Sequence, residues 1–163
     1  MRCTNQYVYT SKQKDTLVEF IKNIKWNTPI SVTLTEKKLC EKYGKNDDIK
    51  SSLNTKHFLN RLNKKIYGNS FLRFNNRIKS FVVMEVNKDN RHHLHMILDQ
   101  PNRLDYFKFK NLILDCWEKT NFGYNQNCIK EIYNEFGWLN YITKKRTKNE
   151  FLSSIDWVNT FID

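Results

Sequence analysis

Glu85, His93 and His95 are the residues of this 163-residue chain whose types and spacing best suit chemistry. Histidines at i and i+2 of an extended segment project to the same side, because strand side chains alternate between faces. Phe81-Val82-Val83-Met84-Glu85-Val86 has the composition of a strand, and Leu94-His95-Met96-Ile97-Leu98 reads as its return. Asn87 to His92 supplies polar turn material between them. A hairpin centred near Asp89 or Asn90 pairs odd positions with odd, so Glu85, His93 and His95 share one face. Val82, Met84, Val86, Leu94, Met96 and Leu98 then form an apolar set on the other. Two imidazoles and a carboxylate around an open position suit a catalytic divalent metal. A His-x-His pair also suits a polar surface stripe, and Phe81 and Val83 share its face, so the pair alone does not decide.

A second candidate lies in Gly137-Trp138-Leu139-Asn140-Tyr141-Ile142-Thr143-Lys144-Lys145. The segment reads as helical, which places Tyr141 and Lys144 at i and i+3 on one face. A phenol is a poor nucleophile at neutral pH unless positive charge lies close. Lys144 and a divalent cation would supply that charge. A buried aromatic beside a snorkelling lysine has the same pattern.

These groups need elements to hold them. Ser11 is placed to cap a helix through Leu17, Phe20, Ile21 and Ile24, within a helical N-terminal segment, 1–28. Pro29 opens a β-branched strand, Ile30–Thr35. The lysine-rich stretch from Glu36 to Ser52 is an excursion from the sheet. A helix through His57, Phe58, Leu62 and Ile66 ends at Gly68 as a C-cap, with His57 on its surface. Leu104 to Lys119 has helical spacing through Phe107, Leu112, Ile113 and Trp117, and Asn127 to Tyr133 reads as a strand. A last short helix is predicted over Ile155 to Ile162, within a C-terminal extension, 146–163. The expected fold is a single α+β domain, 1–163, with a central antiparallel β-sheet and helices packed on one face.

Charge narrows the partner. Lys and Arg number 28 against 17 Asp and Glu, a formal net charge of +11, which favours a polyanion. No apolar run reaches the ~20 residues of a membrane span and no signal peptide is read, so nucleic acid is preferred to a membrane. The four cysteines lack C-x-x-C spacing, which suits reduced thiols in a cytoplasmic protein. Single-strand binding combines cationic grooves with aromatic stacking. Arg73, Arg77 and Lys79 with Phe71 and Phe74 form one candidate DNA-binding group. Lys145 and Arg146, next to Lys144 and near Lys148, form the other.

Taken in order, Ile30–Thr35, His93–His95 and Tyr141–Lys144 resemble the three motifs of the HUH endonuclease superfamily, specifically the single-tyrosine replication-initiator (Rep) proteins of rolling-circle replicons. The resemblance spans roughly 30–145. It implies an RRM-like, ferredoxin-like sheet whose central strand presents the histidine pair to single-stranded origin DNA. It further implies that His93 and His95 bind Mg²⁺ or Mn²⁺ with Glu85 as third ligand. Tyr141 would attack the scissile phosphate to give a 5′-phosphotyrosine and a free 3′-OH, with Lys144 supporting it. Tyr133 is read as structural, which argues against the two-tyrosine type, and His92 is placed on the opposite face from the pair. No Gly-x-x-x-x-Gly-Lys-Ser/Thr occurs, so a separate helicase and a host polymerase are expected as partners. Single-tyrosine transposases, mobilisation relaxases and a non-catalytic nucleic-acid-binding module are the competing readings.

Overall fold

The computed structural model describes residues 11–134, Gly137 and 151–163. Among the described residues the main sheet has four antiparallel strands in the order β4-β5-β1-β6. These are β1 (Pro29–Thr35), β4 (Ser80–Val86), β5 (His92–Asp99) and β6 (Cys128–Glu131). A small hairpin of β2 (Leu39–Cys40) and β3 (Gly44–Lys45) stands apart from it. The helices are α1 (Ser11–Lys22), α2 (Asp48–Tyr67), α3 (Asn69–Phe74) and α4 (Tyr106–Glu118). None of them is long and apolar enough to cross a membrane.

The sheet follows from period-2 alternation. Ile30, Val32 and Leu34 of β1, Val82 of β4, and Leu94, Met96 and Leu98 of β5 are buried on one face. Against them α2 packs Phe58, Leu62 and Ile66, and α4 packs Phe109, Ile113 and Trp117. Phe58 meets Trp117 edge-on at 5.5 Å, a favoured aromatic geometry. Asp47 caps α2 by accepting from the Lys50 N–H, and Gly68, at φ 55°, closes it as predicted. In α4 the buried stripe is Phe109, Ile113, Cys116 and Trp117, while Phe107 is 74% exposed. Phe107 therefore departs from the predicted stripe: the i, i+4, i+7, i+8 set beginning at Phe109 fixes the phase.

The other sheet face is divided. Its lower half is apolar: Phe81, Val83 and Ile97 pack with Leu17 and Ile21 of α1 and with Ile155. Phe20, predicted on the same helix face, points outward. The upper half carries the histidines.

Two other segments differ from expectation or add to it. Residues 155–162 do not form a helix. Ser80 and Phe161 exchange backbone hydrogen bonds, and the Asp156 N–H donates to the Val82 carbonyl. The outer edge of β4 exposes unpaired backbone groups, and satisfying them outweighs local helical spacing. The helical part of this region is Phe151–Ser154. The excursion 36–52 comprises the β2–β3 hairpin and the start of α2, tied down by Glu36. This fully buried carboxylate accepts from Asn46 Nδ2 and Asn54 Nδ2, both at 2.8 Å. Burial raises its pKa, and those hydrogen bonds oppose the rise.

Gly123 closes this corner. It bridges to Glu36, and a Cβ added there would lie 2.2 Å from the Trp117 carbonyl oxygen and 2.9 Å from Thr120 Oγ1. The near atom is backbone and cannot rotate aside. Gly123→Ala should cost at least about 3 kcal/mol by overpacking. A thermal melt should show this as a loss of roughly 6–12 °C. An unchanged midpoint would mean that the α4–β6 connection is not held as described.

Candidate functional site

The β4–β5 register sets the site. Glu85 pairs with His93 and Val83 with His95, a hairpin centred on Asp89 as the alternation predicted. Asn87 shapes the turn, its Oδ1 accepting the N–H groups of Asp89 and Arg91 at 2.9 and 3.0 Å. Asn90 takes the left-handed conformation at φ 56°, which asparagine tolerates. On the other side of β5, Thr33 pairs with His95 and Thr35 with His93. Glu85, His93, His95, Thr33 and Thr35 thus lie on one contiguous patch, with β5 at its centre and one strand on either side.

Each imidazole is held at Nδ1. Thr33 Oγ1 lies 3.2 Å from His95 Nδ1, and Thr35 Oγ1 lies 3.3 Å from His93 Nδ1. The Nε2 atoms face other groups: His95 Nε2 is 3.2 Å from Glu85 Oε2, and His93 Nε2 is 3.1 Å from Asn87 Nδ2. Burial lowers the His93 pKa, and the neighbouring His95 adds to this while Glu85 opposes it. The shift favours the neutral ring, the form that binds metals.

Donor chemistry suits a divalent cation. Nitrogen and carboxylate oxygen are its ordinary protein ligands, and a partner on Nδ1 is the usual way to aim Nε2. The Glu85–His95 separation is close to the ~3 Å expected between adjacent ligands of an octahedral ion with bonds of about 2.1 Å. Among the described residues, however, no three His, Cys, Asp or Glu side chains already converge on one point. His93 Nε2 faces the Asn87 amide, a hydrogen bond that it would have to exchange for a cation.

The remaining predicted residues fall elsewhere. Tyr141, Lys144, Lys145 and Arg146 lie outside the described residues. Lys79 stands at the opposite end of the sheet, beside Asp99, about 20 Å from His93 and about 13 Å from His95 at ~3.3 Å per residue along β5; Arg77 lines the same end and Arg73 belongs to α3. There Arg77 lies over the Phe71 ring at 4.9 Å, and Lys79 Nζ donates to the Lys25 carbonyl at 2.9 Å. A cleft of about 420 Å³ at this end is lined by Tyr67, Arg77, Lys79, Asp99 and Arg103 among others. His92 faces away from the pair, as expected, and its Nε2 lies 2.9 Å from Asp48 Oδ1 at the start of α2. Tyr133 is exposed, and its hydroxyl donates to Glu131, which raises its pKa.

Spacing alone passed over Thr33, Thr35, Asn87 and Arg91. The Arg91 guanidinium lies 4.5 Å from the Tyr124 ring centroid and donates to the Glu36 carbonyl at 3.3 Å, at the histidine end of the sheet. The available signal was the alternation of Ser31, Thr33 and Thr35 in an otherwise apolar strand.

Comparison with curated proteins and with solved structures gave no match. A protein-family model does match, that of the replication-associated protein ORF2 family, over residues 29–150, about three quarters of the chain. The matched span begins at β1 and contains the whole histidine hairpin. Membership is consistent with a replication initiator and implies interaction with DNA. The chain belongs to the replication-associated protein ORF2 family.

Proposed function

We propose that this chain starts replication by nicking and rejoining single-stranded origin DNA, with Tyr141 as nucleophile and His93, His95 and Glu85 as ligands of Mg²⁺ or Mn²⁺. The observation that carries the reading is the shared face of Glu85, His93 and His95, set by the β4–β5 register.

The chain's own groups would divide the work as follows. Tyr141 Oη attacks phosphorus as its proton leaves, and the bond from phosphorus to the 3′ oxygen breaks. The departing oxygen takes up a proton, leaving a free 3′-OH and a 5′-phosphotyrosine. Lys144, three positions after Tyr141 in the sequence, would lower the phenol pKa and neutralise a phosphate oxygen. The bound cation supplies Lewis-acid stabilisation of charge accumulating on the phosphate. Because the phosphotyrosine retains the bond energy, the 3′-OH can reverse the reaction without ATP. Arg91 beside the histidines, with Arg73, Arg77, Lys79, Lys145 and Arg146, would contact the DNA backbone, whose binding weakens with salt. A separate helicase would supply the single strand.

The test is a denaturing gel of the protein incubated with Mn²⁺ and 5′- or 3′-labelled single-stranded origin DNA. The expected result is a covalent protein–DNA band carrying the 3′ fragment, lost on adding EDTA. Cleavage to free fragments without an adduct would replace the tyrosine mechanism with hydrolysis. Binding without cleavage of origin or random oligonucleotides would favour the non-catalytic module.

A further inference from the structure

The hydrogen bonds around His93 can be assigned proton by proton. Thr35 has one hydroxyl proton, and its Oγ1 lies 2.6 Å from the Gln126 carbonyl, which can only accept. That proton is therefore committed to Gln126, and Thr35 can offer His93 Nδ1 only a lone pair. Nδ1 must then carry the ring proton. The other side of the ring gives the same answer independently. Asn87 Oδ1 is committed to the N–H groups of Asp89 and Arg91, which fixes the amide's orientation and points its Nδ2 donor at His93 Nε2. Nε2 must accept, so it carries no proton.

We propose that Thr35 and Asn87 lock His93 in the Nδ1–H tautomer, which keeps the Nε2 lone pair ready for a cation and masked by the Asn87 amide until one arrives. Thr35 is a positioning residue in this arrangement, acting through His93 and itself oriented by a carbonyl 91 positions away in sequence. His95 is set differently. Its Nε2 lies 3.2 Å from a Glu85 carboxylate oxygen instead of an amide donor, so the two rings are not in equivalent surroundings before metal binds. The proposal takes from the preceding section the reading of His93 as a metal ligand, but its first consequence belongs to the metal-free protein.

Imidazole ¹⁵N NMR of the metal-free full chain tests it, because an unprotonated ring nitrogen resonates far downfield of a protonated one. The expected spectrum of neutral His93 has Nε2 as the unprotonated nitrogen. A protonated Nε2, or an averaged pair of tautomers, overturns the lock. In Thr35→Val the Nδ1 acceptor is lost and the Asn87 amide alone favours the Nδ1–H form, so the share of the other tautomer should rise. Thr35→Ser should restore the single form. Mn²⁺ affinity, measured without DNA, should fall about 10–100-fold in the valine variant and recover in the serine variant, the usual range for losing a ligand's supporting partner. A valine variant with the wild-type tautomer share and wild-type Mn²⁺ affinity overturns the positioning role of Thr35 and leaves Asn87 as the sole lock. If the tautomer is as stated but no covalent adduct ever forms, the nicking mechanism fails and the lock stands. Should the valine variant fold poorly, the wild-type spectrum and the serine variant still decide.

Discussion

Replacing Tyr141 by phenylalanine should abolish the covalent protein–DNA band and slow nicking by at least about 10⁴-fold, the scale seen when a covalent nucleophile is removed. The substitution deletes one oxygen and keeps the ring, so packing and charge are preserved. DNA affinity should change little, since the contacts proposed for the phosphate backbone are lysines and arginines. Tyr133→Phe is the matched control. Tyr133 is 89% exposed and its hydroxyl donates to Glu131, which raises its pKa, the opposite of what an attacking phenol needs. Its loss should leave the adduct intact. An adduct that survives Tyr141→Phe and disappears with Tyr133→Phe would transfer the nucleophile to the end of β6, and would require Glu131 to give up that hydrogen bond.

The hairpin was legible because its determinants are local. Alternation from Phe81 to Leu98 identifies two strands, and a single register through Asp89 satisfies both faces, since a one-residue slip would put the histidines in the core. The C-terminal end of α2 was legible for the same reason, since Gly68 at positive φ halts the helix within its own neighbourhood, whereas its start at Asp48 fell inside the stretch read as an excursion. Phe107 and Phe109 show where local reasoning fails. Both fit helical spacing, and only the position of Trp117 against Phe58 selects which one turns inward. The segment 155–162 failed for a stronger reason. Its conformation is decided by Ser80 and Val82, more than 70 positions earlier, whose backbone groups needed partners. The groups holding the histidines are equally remote. Thr33 and Thr35 are 62 and 58 positions from the rings they touch, and Gln126 reaches Thr35 across 91. Residue types with catalytic potential are visible in a one-dimensional string, whereas the groups that aim them are brought in by β1 and the approach to β6.

His95→Ala should reduce nicking by at least about 10³-fold, the kinetic equivalent of losing roughly 4 kcal/mol of Lewis-acid stabilisation. His95 occupies the central strand, with Glu85 on one neighbouring strand and Thr33 on the other, so its loss removes the donor that the patch is built around. Glu85→Gln should be milder, about 10–100-fold, because an amide oxygen still ligates but without charge. These losses should shrink as Mn²⁺ is raised, since weaker ligation is compensated by mass action. Glu85→Gln should leave folding unchanged, because that side chain is partly exposed, whereas His95 stands beside Val83 of the apolar cluster and its removal should cost some stability. A thermal melt separates lost ligation from lost structure. If His95→Ala is inactive at every Mn²⁺ concentration while Tyr141 still reacts with a small activated phosphodiester, the imidazole serves the substrate directly and the metal assignment of His95 falls. If instead activity returns with Mn²⁺ in the order Glu85→Gln before His95→Ala, the two residues act through a shared cation, and their unequal losses measure a carboxylate's charge against an imidazole's lone pair.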